Sequence, residues 1–243
     1  MSELFATYPR QRSPLPPEYE AIFAQHYADN RAGRGGANSL AQRAEEWMHR
    51  QVARRGRPGE QVLDFGAGNL NHYRHERGFE RYDVVEPFKL LLEDAPKDAL
   101  VGDTFSYVHD IGGRSYDRIF SIAVLEHLVE LPRDVARCAS LLKPGGLFQA
   151  GIPCEGELGW TLGYMLSTGV AFRMKYGLDY RVVVRHEHVN SYKDILAVVG
   201  TIFSRVRVRR SWFPAPFPHA SFYAYLEARE PRMDVVAALL AGR

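Results

Sequence analysis

The stretch Val62-Leu63-Asp64-Phe65-Gly66-Ala67-Gly68-Asn69-Leu70 decides the reading of this chain. An apolar strand runs straight into Asp-x-Gly-x-Gly. The two glycines let the backbone turn sharply and lie close to a ligand, where a Cβ would collide or force an unfavourable φ. In doubly wound sheets ligands sit at the carboxyl ends of the strands, where the winding reverses, and this turn falls at such a place. The loop is therefore a candidate site for a nucleoside-bearing ligand.

Working outward, short apolar runs separated by helical stretches predict a parallel sheet covered on both faces. The strands are expected at Gln61 to Phe65, Tyr82 to Glu86, Phe105 to His109, Arg118 to Ala123 and Leu147 to Ile152. Pro132 to Leu142 reads as a helix that Lys143-Pro144-Gly145-Gly146 stops, since Pro cannot continue a helix and Gly accepts a left-handed cap. Further on, Tyr192 to Phe203 has helical spacing. Arg205 to Arg209 alternates Arg and Val as a half-exposed strand does, and Phe222 to Glu227 reads as a strand beyond the Pro-rich turn at Pro214 to Pro218. Before the sheet, an irregular arm carrying Pro9, Pro14, Pro16 and Pro17 leads into a helix at Glu18 to Arg31. A second helix, capped by Asn38 or Ser39, carries Leu40, Ala44, Trp47, Met48 and Gln51 at helical spacing.

Glu86 ends the second strand about twenty residues beyond Asp64, where an acidic side chain can accept hydrogen bonds from both ribose hydroxyls. With this the chain resembles the class I S-adenosylmethionine-dependent methyltransferases. The resemblance rests on Asp64, Gly66 and Gly68, then Glu86, Tyr116-Asp117-Arg118-Ile119, Leu125-Glu126-His127 and Leu142-Lys143-Pro144-Gly145-Gly146, in that order. It covers Gln61 to Pro153 well, the tail moderately and the first sixty residues hardly at all. It implies an α/β fold with a doubly wound, mostly parallel seven-stranded sheet whose seventh strand inserts antiparallel. It also implies S-adenosylmethionine as cofactor. The Asp64-to-Asn69 loop would then approach the methionine part, Glu86 the ribose and an acid after the third strand the adenine, with Ala123 at the end of the fourth strand counted in the same site. For the adenine-side acid, Asp110 is preferred to Asp103 because Phe105 to His109 alternates better than the residues before Asp103. Leu70 stands where many such loops carry a third Gly, which argues against a pyrophosphate packed on the next helix terminus.

Three histidines are candidates for catalysis. A sulfonium carries its own activation, so positioning is the protein's largest task, and a base helps an oxygen acceptor. His127 follows the fourth strand; it serves either as that base or as a hydrogen-bonded residue at a helix start. Glu126 beside it either caps the helix or faces the cleft. If Arg185 to Asn190 is extended, His186 and His188 project from one face, over the active site. Zinc on these two lacks a further nearby ligand, so no metal is expected. Glu155 and Glu157, directly after the fifth strand, either meet a polar acceptor or are solvated.

The chain's 243 residues suit one α/β domain, residues 58–243, with an arm and covering helices at 1–57 and an insertion at about 155–190. Hydrophobic residues at 46% and charged residues at 25% describe a folding chain. A net charge of +2 gives nucleic acid no support. Cys138 and Cys154 form no CxxC pair and point to a reducing compartment. With no apolar leader and no run of about 18 apolar residues, a cytoplasmic protein is expected. Leu158 to Tyr176, rich in Trp, Met and Phe, leaves three roles open: a lid, a subunit contact, or a surface resting on a membrane. The acceptor is expected to be a hydroxyl-bearing small molecule or glycan, methylated on oxygen. A nicotinamide oxidoreductase and a catalytically silent interaction module are the rival readings. The first lacks a Tyr-x-x-x-Lys helix.

Overall fold

The computed structural model describes residues 4–23, 39–93, 95–96, 98–155, 168–211 and 221–242. Seven strands form one sheet: β1 (Gln61–Phe65), β2 (Arg81–Val85), β3 (Thr104–Phe105), β4 (Tyr116–Ile122), β5 (Leu142–Pro153), β6 (Phe203–Arg210) and β7 (Tyr223–Pro231). Their order is β3-β2-β1-β4-β5-β7-β6. The pairs from β3 to β5 are parallel. β7 runs antiparallel between β5 and β6. The expected seven-stranded, mostly parallel architecture is the one observed.

Strand alternation sorts the inward residues onto two faces. Leu63, Phe65, Ile119, Phe148, Ala150, Ile152, Leu226 and Ala228 belong to one continuous apolar cluster. Three helices cover it: α3 (Leu131–Ser140), α6 (Tyr192–Ile202) and α7 (Met233–Leu240), through residues such as Val135, Ile195, Val199 and Val236. Cys138 lies in this core, and both cysteines are buried and outside any disulfide. Ser191 starts α6 with a capping box, accepting from the Asp194 N–H while the Asp194 carboxylate accepts from the Ser191 N–H.

The opposite face lies under α1 (Ser39–Ala53), with the short α2 (Lys89–Glu93) following β2, and mixes apolar with buried polar residues. Val62, Tyr82, Val84 and Phe120 cluster there with Val52 and Leu70. Among them sit Asp64, Arg118 and Gln149, all buried. Arg118 donates to both carboxylate oxygens of Glu76 and, at 2.9 Å, to Glu60. Gln149 donates to the Val52 carbonyl and the Tyr225 hydroxyl. Burial works against the Glu76 carboxylate, yet the hydrogen bonds from His72 and Arg118 hold its pKa down to about 2. Burial also pushes His72 down to about 4. The ring proton of His72 therefore sits on Nε2, facing Glu76 at 2.9 Å, and its Nδ1 accepts from His49 at 3.0 Å.

Four local expectations change. β3 ends at Phe105, and Val108–Asp110 is a short 3-10 turn, because Val108 packs into the core while Asp110 accepts from the Tyr107 N–H. Lys143 to Gly146 does not follow the helix as a turn. It is a bulged opening of β5, with the register slipping between Tyr116 and Arg118 and Gly145 at φ 77°. The arm is not wholly irregular: Phe5–Thr7 forms a 3-10 turn, and the Arg10 N–H bonds the Val129 carbonyl at 2.9 Å. Finally, Arg185 to Glu187 is helical, ending α5 (Tyr180–Glu187).

Helical residues 17–23 pack on α5 and on α4 (Thr168–Tyr176) through Tyr19, Phe172 and Val183, a small apolar cluster apart from the main core. The Tyr19 hydroxyl both donates to the Asp179 carbonyl and accepts its N–H. The rest of the first expected helix, with Tyr27 and Arg31, lies outside the described residues, as do Asn38, Glu157, Leu158 to Ser167 and the Pro-rich turn.

Candidate functional site

The carboxyl ends of β1, β2 and β4 bring the first set of expected residues to one edge. β1 leaves the sheet through Gly66 at φ 85° and Gly68 at φ 54°. A Cβ on Gly66 would lie 2.3 Å from a Val124 methyl, so this glycine lets the first loop press against the loop after β4. Gly66 and Ala67 both donate to the Val85 carbonyl. Glu86 is buried at the end of β2 and is held by two backbone donors: Gly68 N–H to Oε2 at 2.8 Å and Phe88 N–H to Oε1 at 2.9 Å. Each oxygen keeps a further lone pair, so the carboxylate is oriented and still able to accept from a vicinal diol.

Asp64 is buried on the polar face and accepts from the Tyr82 hydroxyl at 2.6 Å. Burial lifts its pKa to about 7 even though that hydrogen bond opposes the shift. Leu70, where a third glycine was missed, takes the left-handed conformation itself at φ 62°. Its side chain is buried with Val62, Ala67 and Tyr82, which offsets the roughly 1–2 kcal/mol that this conformation costs. Ala123 is also left-handed, at φ 54°, with its N–H on the Gly151 carbonyl. Strained residues of this kind gather at functional edges.

Asp103 and Asp110 part company. Asp103 precedes β3 at the amino edge and is bound by Arg81 and Arg114. Asp110 is exposed beyond the carboxyl end of β3.

A second set meets beside the first. After β4 the short turn Leu125–His127 places Glu126, buried, next to His127. Residues 188–190 return to this turn: Val189 and Asn190 donate their N–H groups to the Glu126 carbonyl, and the Asn190 amide donates to Leu125 and Leu128. His188 consequently stands edge-on to His127, with ring centroids 4.7 Å apart. Its Nδ1 bonds the Glu155 carboxylate, and His127 Nδ1 donates to the Glu187 carbonyl at 3.1 Å. Burial opposes charge on His188, but that bond and the carboxylates of Glu126, Glu155 and Glu187 outweigh it and raise its pKa.

His186 does not join this pair. Because α5 is helical, residues two apart face different ways, and His186 Nδ1 donates to the Ser13 carbonyl of the arm at 2.6 Å. One residue that the sequence reading passed over ties the assembly: Arg12 donates to the carbonyls of His127, His186 and Glu187. Tyr8 likewise donates to Asn190 at 2.8 Å. No local pattern signals either, since each spans more than a hundred residues of chain.

Comparison with known proteins identifies the family and the fold. Residues 37–198 match the model of the methyltransferase domain family. No curated protein matches the chain. Similar solved structures include the N-methyltransferase NodS from Bradyrhizobium japonicum in complex with S-adenosyl-l-homocysteine, at 13% identity and TM-score 0.57, covering 89% of this chain and 100% of that one. An O-methyltransferase family protein from Burkholderia thailandensis gives 16% and 0.56, covering 91% and 65%. The CurJ carbon methyltransferase gives 17% and 0.57, covering 88% and 61%. The chain thus belongs to the methyltransferase domain family, as a class I S-adenosylmethionine-dependent methyltransferase. Neighbours that act on nitrogen, oxygen and carbon share this fold, so the fold leaves the acceptor atom open.

Proposed function

We propose that the protein methylates a hydroxyl oxygen of a small molecule or glycan. Bound S-adenosylmethionine supplies an electrophilic methyl on its sulfonium. In this reading Glu86 accepts from the ribose hydroxyls, the Asp64-to-Asn69 loop holds the methionine part, Asp110 meets the adenine and Ala123 closes the wall beside them. The residues present suit that group: an oriented acid at the strand end and a loop in left-handed turns beside it. The observation that carries the choice of oxygen is the pair His127 and His188, set against each other and backed by Glu155 at the carboxyl edge of β4 and β5. Two imidazoles there can receive a hydroxyl and its proton near neutral pH, the work an oxygen acceptor needs. Holding donor and acceptor in line contributes more, about 7–11 kcal/mol.

Calorimetric titration tests the donor half. S-adenosylmethionine and S-adenosylhomocysteine should bind at micromolar levels and NADH should not. Glu86→Ala should weaken the first two by about 1–3 kcal/mol, the cost of leaving hydroxyls unpaired. Unchanged affinity removes Glu86 from the site. A screen of hydroxylated acceptors for S-adenosylhomocysteine release tests the acceptor half, and turnover confined to amines would overturn it.

A further inference from the structure

Glu126, His127 and His188 each offer one ligand atom, and these atoms all lie within 4.8 Å of one another. They come from two stretches about sixty residues apart, joined by the backbone bonds from Val189 and Asn190 to Glu126. This is a different set from the histidine pair that the sequence reading considered for zinc, because His186 turns to the arm while His127 and Glu126 take its place.

The surroundings have the form of a metal site's outer layer. His127 Nδ1 donates to the Glu187 carbonyl and His188 Nδ1 to the Glu155 carboxylate. Both bonds put the ring proton on Nδ1 and the lone pair on Nε2, the tautomer that ligates a cation. His127 Nε2 is 3.9 Å from Glu126 Oε1. Ligand atoms on an ion at about 2.0–2.2 Å stand roughly 3.3 Å apart, so side-chain rotation closes the set. Glu126 is buried beside both imidazoles.

We propose that Glu126, His127 and His188 bind one divalent transition-metal ion of the zinc class, with Glu155 and the Glu187 carbonyl orienting the imidazoles. Two imidazoles and one carboxylate leave coordination positions open, the pattern of a catalytic rather than a structural ion. Those positions take the acceptor's oxygen, and the cation then stabilises the alkoxide left when the hydroxyl proton passes to solvent, in place of direct proton transfer to an imidazole; this last role, unlike the ion itself, rests on the methyl-transfer reading above.

The test uses tag-free full-length protein stripped with a chelator. Titration with Zn²⁺ by calorimetry, and with Co²⁺ by visible absorption, should show one equivalent bound. His188→Ala and Glu126→Gln should abolish it, Glu155→Gln should weaken it by about 10–100-fold, and His186→Ala should leave it unchanged. Circular dichroism of each variant separates lost ligation from lost folding, and the near-isosteric Glu155→Gln keeps the outcome readable if a ligand variant does not fold. No stoichiometric binding, or binding indifferent to Glu126→Gln and Glu155→Gln, would overturn the proposal. S-adenosylmethionine binding to the same stripped protein tells the two failures apart. Donor without metal sinks only this site, while metal without donor sinks only the reading of the cofactor edge.

Discussion

Both faces of the sheet are buried, by different chemistry. One is a continuous apolar cluster under α3, α6 and α7. The other buries Arg118, Glu76, His72, Gln149 and Asp64 beneath α1. Apolar burial stabilises additively and tolerates rearrangement, whereas a buried ion pair is nearly neutral while intact and costly when one partner goes. The first face supplies stability, and the second makes stability conditional on a complete set of partners.

The largest effects test that contrast. Phe148→Ala on the apolar face should cost about 3–5 kcal/mol in urea unfolding, through lost burial and the cavity left behind. Arg118→Met should cost about 3–5 kcal/mol for another reason, the uncompensated Glu76 carboxylate. Adding Glu76→Gln to Arg118→Met should recover more than half of that loss. Should the double variant be as unstable as the single one, charge balance is not what holds the polar face.

Next comes pH, where the polar face meets the proposed cofactor edge. Asp64 sits with its pKa lifted to about 7 by burial, so it is largely neutral at pH 6 and ionised at pH 8. A donor carrying ammonium and sulfonium charges favours the ionised form. Affinity for S-adenosylmethionine should therefore fall about tenfold from pH 8 to pH 6, one decade per unit of pH below the pKa. Asp64→Asn should flatten this profile in calorimetry. A wild-type profile already flat would separate Asp64 from the cofactor.

The smallest effect belongs to neither face. Lys143 bonds Asp117 at 2.7 Å on the half-exposed rim, and Asp117 also accepts from the Gln61 N–H. Lys143→Ala should cost less than about 1 kcal/mol in the same unfolding assay. A larger loss would mean that the bulged start of β5 depends on this rim.

The apolar face was the legible part of the sequence. Gln61 to Phe65, Tyr82 to Glu86 and Arg118 to Ala123 are recognisable because burial on two faces demands near-continuous apolar residues. Arg118 inside such a run shows why the polar face was hidden: its partners Glu60 and Glu76 lie in other loops. At the site, Gly66, Gly68 and Glu86 announce themselves by local backbone needs. The meeting of His127 with His188 depends on Asn190 and Arg12 bridging distant stretches, which no periodicity encodes. The same limit explains α5, where an extended reading of Arg185 to Asn190 gave way, over Arg185 to Glu187, to a helix capped by Asp179 and anchored by Val183 and Val184.

The antiparallel insertion of β7 has a consequence for assembly on the ribosome. β6 leaves the tunnel before β7 yet touches the rest of the sheet only through it. Until residues 223–231 emerge, the β5 edge stays unpaired and β6 has no strand to pair with, so a nascent chain stalled before that point exposes a sticky border. The last strand to be synthesised is the one that seals the molecule.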